Sequence, residues 1–349
     1  MLSQCITAFG APLETIETPI LEPRGTEVLL IVRHAGVCHS DVHIHDGYFD
    51  LGDGKKLSLA YITLPHTPGH EVEGEIVAAG AAADVQIGAR RAVFPWIGCG
   101  ECAACRRGQE NLCARPHQLG CSAGVAGGYA THLLIPHPKY LLDYGSAPPA
   151  LAAISMCSGL TAFAAISKIG PLLADDEILI IGCGGVGLMG VQFVRALTGR
   201  DPIVADIDED RLAAARNAGA SASYNTCDLA AAKKLRTDTH GGVFAAVDFV
   251  GSEASFAFAS ASVRKGGKII AVGLFGGVMA MPLPMFPLRA LSVIGSYAGS
   301  LGEAEEMMRL IRAGRIDPIP ITTRPLAEAG AALDDLRHGC VTGRVVLKP

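Results

Sequence analysis

The sequence predicts an α/β chain, with a doubly wound parallel sheet in its second half joined to a mainly β part built largely from its first half. Three observations carry this expectation. From Glu177 to Gly273, apolar strand-like runs alternate with helix-like segments, as in successive strand–helix–strand units. A glycine cluster, Gly182, Gly184, Gly185 and Gly187, stands between the first of those strands and the helix-like Leu188 to Leu197. From Ile6 to His34, short β-prone runs such as Glu27 to Arg33 are separated by Pro19, Pro23 and Gly25, the pattern of a turn-rich antiparallel region.

The chain has 349 residues, enough for two domains of roughly 150 residues each. Half of it is hydrophobic, 18% is charged and the net charge is −5, so no basic face is available and nucleic acid is not expected as a partner. No basic residue precedes Arg24 and no apolar signal core is present. With eleven cysteines, this predicts reduced thiols and a cytoplasmic location. Two long uncharged runs, Tyr144 to Ser167 and Ile269 to Leu288, are interrupted by Pro148 and Pro149 and by Pro282, Pro284 and Pro287. They are expected to be buried elements and not membrane spans.

Four cysteines, Cys99, Cys102, Cys105 and Cys113, are spaced C-x2-C-x2-C-x7-C. Thiolates three residues apart converge on one ion, and four of them close a tetrahedral zinc shell. The other reading is a disulfide framework or redox pair. A shell of four thiolates has no position open to substrate, so chemistry has to be sought elsewhere.

The run Glu177 to Gly187 places its glycines after a strand and before a helix, and Asp206 ends the next strand, Pro202 to Asp206. In that context Gly182 makes the tight turn, Gly184 admits a pyrophosphate, and Gly187 allows close packing of the helix. The helix N-terminus, with Gly185 and Val186, then faces the phosphates. Asp206 would accept hydrogen bonds from the adenosine ribose and repel a 2′-phosphate, which favours NAD over NADP. The alternation continues through Ala245 to Val250, a helix from Glu253 to Val263, and Gly267 to Gly273, as in a Rossmann sheet.

Ionisable residues gather in Gly36 to His43 and in Pro68 to Glu75, and a later cysteine, Cys157, stands in Ser155 to Thr161. A lone Cys or His is more often structural than a ligand. Together, Cys38, His70 and Cys157 would supply two thiolates and an imidazole, a set that leaves a fourth zinc position open.

These blocks occur in one order along nearly the whole chain, and the sequence resembles the zinc-dependent medium-chain alcohol dehydrogenase family. The resemblance implies a discontinuous, mainly β, GroES-like catalytic domain over 1–157, with a zinc lobe at 95–115. It places a Rossmann domain at 158–297 and a return to the catalytic domain at 298–349. It implies two zinc ions per chain, a catalytic one on Cys38, His70 and Cys157 and a structural one on the four-cysteine lobe. The implied activity is reversible NAD-dependent oxidation of an alcohol to its aldehyde or ketone. Zinc would lower the pKa of the alcohol, and the proton would leave through Ser40 and His43.

Asp41 and Glu71 would orient an imidazole and tune the ion, or else be solvated carboxylates. By resemblance, Thr161 packs at the nicotinamide ring, and Val272, Ser296 and Ala298 offer main-chain groups to its carboxamide. Arg211 lies at the ribose, and His39 and Arg344 at the phosphates. Cover for the apolar run Gly277 to Pro287 would come from a homo-oligomer, dimer or tetramer, through the cofactor domain. The segment from Ile44 to Thr67 is longer than in compact members. It is expected to form either a pocket rim, with Tyr48 and Phe49 as walls, or a plain surface loop. Trp96 is a further wall candidate. Aldehyde reduction, a polyol substrate, or a non-catalytic zinc- and nucleotide-binding role remain as alternatives. Polyol members usually bind zinc through a glutamate where this chain has Cys157. His117, His132 and His137 are expected to be structural, and Cys5, Cys121, Cys183, Cys227 and Cys340 to be free thiols.

Overall fold

The computed structural model describes Met1–Pro349. The chain divides into two compact units. One comprises Met1–Tyr48, Ser58–Leu160 and Ala298–Pro349; the other comprises Phe49–Leu57 and Thr161–Tyr297.

The first unit is built on a seven-stranded sheet. Its central strand, Val28–Val37, is a nearly continuous apolar and mostly buried run, interrupted only by Arg33 and His34 before the buried Ala35, Gly36 and Val37. It pairs antiparallel with Glu71–Ala79, His132–Ile135 and Arg344–Lys348. Strand direction then decides which residues meet. Cys38 leaves the end of the central strand where Glu71–Ala79 and Arg344–Lys348 begin, and Gly36 lies opposite both Glu71 and Val346. Residues far apart in the chain are thereby gathered at one end of the sheet. The helix Pro149–Ile154 covers the central strands with Leu151, Ala152, Ala153 and Ile154, all buried.

The uncharged run expected to be broken by Pro148 and Pro149 is helical from Pro149 to Ser167. Pro149 sits in the first helical turn, where its missing N–H has no intrahelical partner to lose. The middle of the run, Ser155–Gly159, is a π-helical turn within it. By length and apolarity it is the one helix that could cross a membrane, but 83% of its most apolar window is buried inside the protein, as in a core helix.

The second unit carries six parallel strands in the order Ala222–Asn225, Ile203–Asp206, Ile178–Ile181, Val243–Asp248, Val263–Ala271, Ser292–Gly295. This is the doubly wound order, with the first strand at the centre and the crossover reversing beside it. Ile178–Ile181 is buried at every position, consistent with a strand covered on both faces. Ser292–Gly295 is an edge strand and largely exposed.

One expectation changes here, and one segment gains a defined shape. The run Ile269 to Leu288, expected to be buried, leaves the sheet after Ala271 and exposes Phe275, Met279, Leu283 at 80% and Leu288. Its prolines cannot donate to a ladder, so it continues neither as strand nor as long helix. The excursion 44–67 contains a two-stranded hairpin, Tyr48–Gly52 with Lys55–Ser58, turning at Asp53 and Gly54 in left-handed conformation. Residues 49–57 belong to the second unit, where Gly52 rests on the backbone of Gly277.

Candidate active site

Cys38, His70, Glu71 and Cys157 are buried and bring one donor atom each to within 4.8 Å of the others. Cys38 ends the central strand and caps the helix His39–Asp46, donating its backbone N–H to the Asp41 carboxylate at 2.9 Å. His70 follows Gly69, whose positive φ of 97° turns the chain into the next strand. Cys157 sits on the π turn. There the hydroxyls of Ser155 and Ser158 donate to the carbonyls of Leu151 and Ile154, and such back-bonding bends a helix.

The two sulfurs are 3.9 Å apart. Tetrahedral zinc with bonds of about 2.3 Å requires sulfurs about 3.8 Å apart. The hydrogen bond from Cys157 holds the Cys38 thiol well below its ordinary pKa, and Cys157 is raised by the same contact. The Nδ1 edge of His70 meets Asp41 at 3.2 Å, whereas Nε2 is buried without a partner. A buried ring nitrogen left unpaired is costly, and an ion beside the two thiols satisfies it. The donor set fits zinc.

Neither carboxylate is solvated: Asp41 and Glu71 are both 0% exposed. Burial raises the Glu71 carboxyl to about 7, against the opposing pull of Arg344. Arg344, expected at the cofactor phosphates, is 5% exposed and pairs with Glu71 through Nη2, leaving Nε unpartnered. Gly36 makes this pairing possible, because a Cβ there would collide with the Glu71 carboxylate. Trp96 is buried, with its ring 5.5 Å from that of His70 and its Nε1 donating to the Met156 carbonyl at 3.0 Å. Ser40 and His43 are half-buried on the helix after Cys38, and His39 is exposed.

Cys99, Cys102, Cys105 and Cys113 form the second group, again within 4.8 Å. All eleven cysteines are free, and the Cys102 sulfur lies 3.5 Å from Cys105 and 3.8 Å from Cys113, far beyond a disulfide bond. Backbone N–H groups of Cys99 and Arg115 point at the Cys113 sulfur, each at 3.3 Å. The Cys105 backbone is the main influence pulling Cys102 down to about 6, which favours the thiolate a metal needs. Gly98 is required for the close approach: a Cβ there would lie 2.5 Å from the Cys105 sulfur.

In the second unit the glycines behave as their spacing implies. Gly182 has φ of 89°, a Cβ on Gly187 would strike the Gly182 carbonyl, and the space above Gly184 is open. Gly184 caps the helix Gly185–Thr198, which starts three residues earlier than expected, with Val186 in its first turn. Asp206 accepts from Cys183 N–H at 2.6 Å and from Asp208 N–H at 3.1 Å, which fixes its carboxylate at the strand end. Arg211 lies half-buried in the following helix, which Asp208 caps.

Thr161 is half-buried. Val272 and Ser296 stand just past the ends of adjacent strands, with their N–H groups already bonded to Asp248 and Ala271. The Ser296 hydroxyl accepts from Lys168 at 2.9 Å. Ala298, with positive φ of 45°, begins the last segment of the first unit.

Sequence reasoning missed Gly36, Lys168 and Tyr129, whose hydroxyl meets Asp41. Only Gly36 left a trace, as a side-chain-free position just before the first thiol.

Residues 24–144 match the alcohol dehydrogenase GroES-like domain and residues 185–313 the zinc-binding dehydrogenase domain. An NAD-dependent alcohol dehydrogenase of Sulfurisphaera tokodaii is 35% identical over the whole of both chains. The chain belongs to the zinc-type medium-chain alcohol dehydrogenase family. Among solved structures, this family member is similar to the alcohol dehydrogenase of Aeropyrum pernix, with a TM-score of 0.88 and 26% identity over all of both chains. It is also similar to the D-arabinose dehydrogenase of Sulfolobus solfataricus, with a TM-score of 0.84 and 26% identity, covering 100% of this chain and 99% of that one.

Proposed function

We propose that this dehydrogenase oxidises an alcohol reversibly to its aldehyde or ketone, using zinc and NAD. The carrying observation is the buried pair of thiols at zinc spacing beside a histidine nitrogen with no partner. Cys38, His70 and Cys157 would hold the catalytic ion, and Cys99, Cys102, Cys105 and Cys113 a structural one, giving two per chain. Zinc in the first site supplies a Lewis acid for the substrate oxygen, and NAD supplies the hydride acceptor.

The chain's own residues do the rest. Asp41 accepts from the Nδ1 edge of His70 and so directs Nε2 toward the two sulfurs. Glu71, paired with Arg344, places a compensated charge beside the site. Ser40 would hydrogen-bond the substrate hydroxyl and relay its proton, giving up its own hydroxyl proton as it accepts that one, and His43 would pass the proton outward. Asp206 would bind the adenosine ribose and disfavour NADP, with Arg211 beside it, while the open face of Gly184 with Gly185 and Val186 would admit the pyrophosphate. Thr161, Val272, Ser296 and Ala298 are assigned to the nicotinamide end, and His39 to the phosphates.

The exposed edge strand Ser292–Gly295 and the apolar run after Ala271 suit a homo-oligomer formed through the cofactor unit. A cytoplasmic location accords with eleven unpaired thiols. Zinc counting with NADH formation at 340 nm tests the reading. Two ions per chain should fall to one in Cys157→Ala, with turnover lost over a panel of primary, secondary, aromatic and cyclic alcohols and sugars. Retained turnover in that variant would refute the ligand set.

A further inference from the structure

The geometry points to Tyr129 as a positioning residue for the metal-binding imidazole, acting through the Asp41 carboxylate. This rests on the proposed zinc site of Cys38, His70 and Cys157. Tyr129 is wholly buried, in a setting where a phenylalanine would fill the same space without a polar atom to satisfy. Its hydroxyl donates to Asp41 Oδ2 at 3.2 Å. The same carboxylate accepts from the N–H of Cys38 at 2.9 Å and of Gly69 at 3.1 Å, and meets His70 Nδ1 at 3.2 Å. Asp41 therefore ties together the backbone stretches that carry two of the three proposed ligands.

Tyr129 closes this arrangement from two sides. Its ring lies against Gly69, where an added Cβ would collide with it, and its N–H donates to the Pro68 carbonyl at 3.0 Å. The backbone entering His70 is thus held by the tyrosine ring, while the carboxylate that orients the imidazole is held by the tyrosine hydroxyl. An acceptor-only carboxylate facing Nδ1 selects the tautomer with Nδ1–H, which leaves the Nε2 lone pair for the ion. Fixing the carboxylate plane fixes the direction of that lone pair.

Tyr129→Phe removes the hydroxyl and keeps the ring. With the holoenzyme, zinc release to excess chelator should show two phases, and the phase missing from Cys157→Ala belongs to this site. In Tyr129→Phe that phase should accelerate by roughly 3–10-fold, below the 10–100-fold typical when a group touching the ligand itself is lost. The four-cysteine phase should stay unchanged. In cobalt-loaded protein, the d–d bands missing from Cys157→Ala should shift.

Because the hydroxyl acts through Asp41, adding Tyr129→Phe to Asp41→Asn should give no further acceleration. Release rate and bands equal to wild type, or accelerations that multiply in the double variant, would overturn the inference, even with a lowered melting temperature. A wild-type protein that binds only the four-cysteine ion would instead overturn the ligand set and remove the basis for Tyr129's role.

Discussion

Glu73 shows how one buried side chain is held in its charged form away from the chemistry. Its carboxylate is 0% exposed, yet it accepts from Arg90 Nε at 2.8 Å and from the Tyr144 hydroxyl at 2.8 Å, and pairs with His34 Nδ1 at 2.8 Å. Burial alone would raise its pKa, but the hydrogen bonds from His34, Arg90 and Tyr144 outweigh it and the net shift is downward from 4.5. A carboxyl with a depressed folded pKa adds stability above its unfolded value and loses it as pH falls through the folded value. We therefore expect thermal stability to drop on acidification below about pH 4.5, and to drop less steeply in Glu73→Gln; equal slopes in the two proteins would rule this out. Glu71, two residues earlier on the same strand face, shifts upward instead, because burial outweighs the pull of Arg344 and His70, and Cys38 and Asp41 add negative charge. The alternation of carboxylates in Glu71, Glu73 and Glu75 was plain in the sequence. Their different environments were not, since each depends on partners from other strands.

At the scale of elements, the hairpin of 48–58 owes its placement to distant residues. Its close approach to the backbone of Gly276 and Gly277 depends on a segment more than two hundred residues away. Gly52 has φ of 82°, and a Cβ there would lie 2.7 Å from the Gly277 Cα. Gly52→Ala combines left-handed strain with a backbone clash, and should cost about 1–3 kcal/mol, read as a lower unfolding midpoint in urea. An unchanged midpoint would mean the hairpin does not pack there. The π turn at Cys157 lies in the uncharged run that the sequence shows interrupted by Pro148 and Pro149. In the structure, Pro149 starts the helix, and the hydroxyls of Ser155 and Ser158 accompany the irregular turn.

For the whole molecule, the edge strand Ser292–Gly295 is the feature with the widest consequence. It pairs on one side only, with Val263–Ala271, and exposes Val293 beside the apolar run that ends at Leu288. Unpaired strand edges favour association unless they are charged or covered. Val293→Lys should shift the proposed homo-oligomer toward monomer in sedimentation at micromolar concentration, with the far-UV signal retained. An unshifted distribution would place the interface elsewhere.

By itself, the sequence determined the family, the glycine turn between strand and helix, the acid that ends the next strand and the four-cysteine lobe. The family follows from the order of blocks along the chain, and each of the others is a local constraint: a positive φ, a close approach at fixed spacing, or thiolates a few residues apart. Only the tertiary structure decided what gathers around the sparse triad. Antiparallel pairing places Gly36 opposite Glu71, the strand Arg344–Lys348 brings Arg344 onto that carboxylate, and Tyr129 reaches Asp41 from across the same unit. The physical reason is that strand register and burial are set by long-range packing, which no short window of the chain contains.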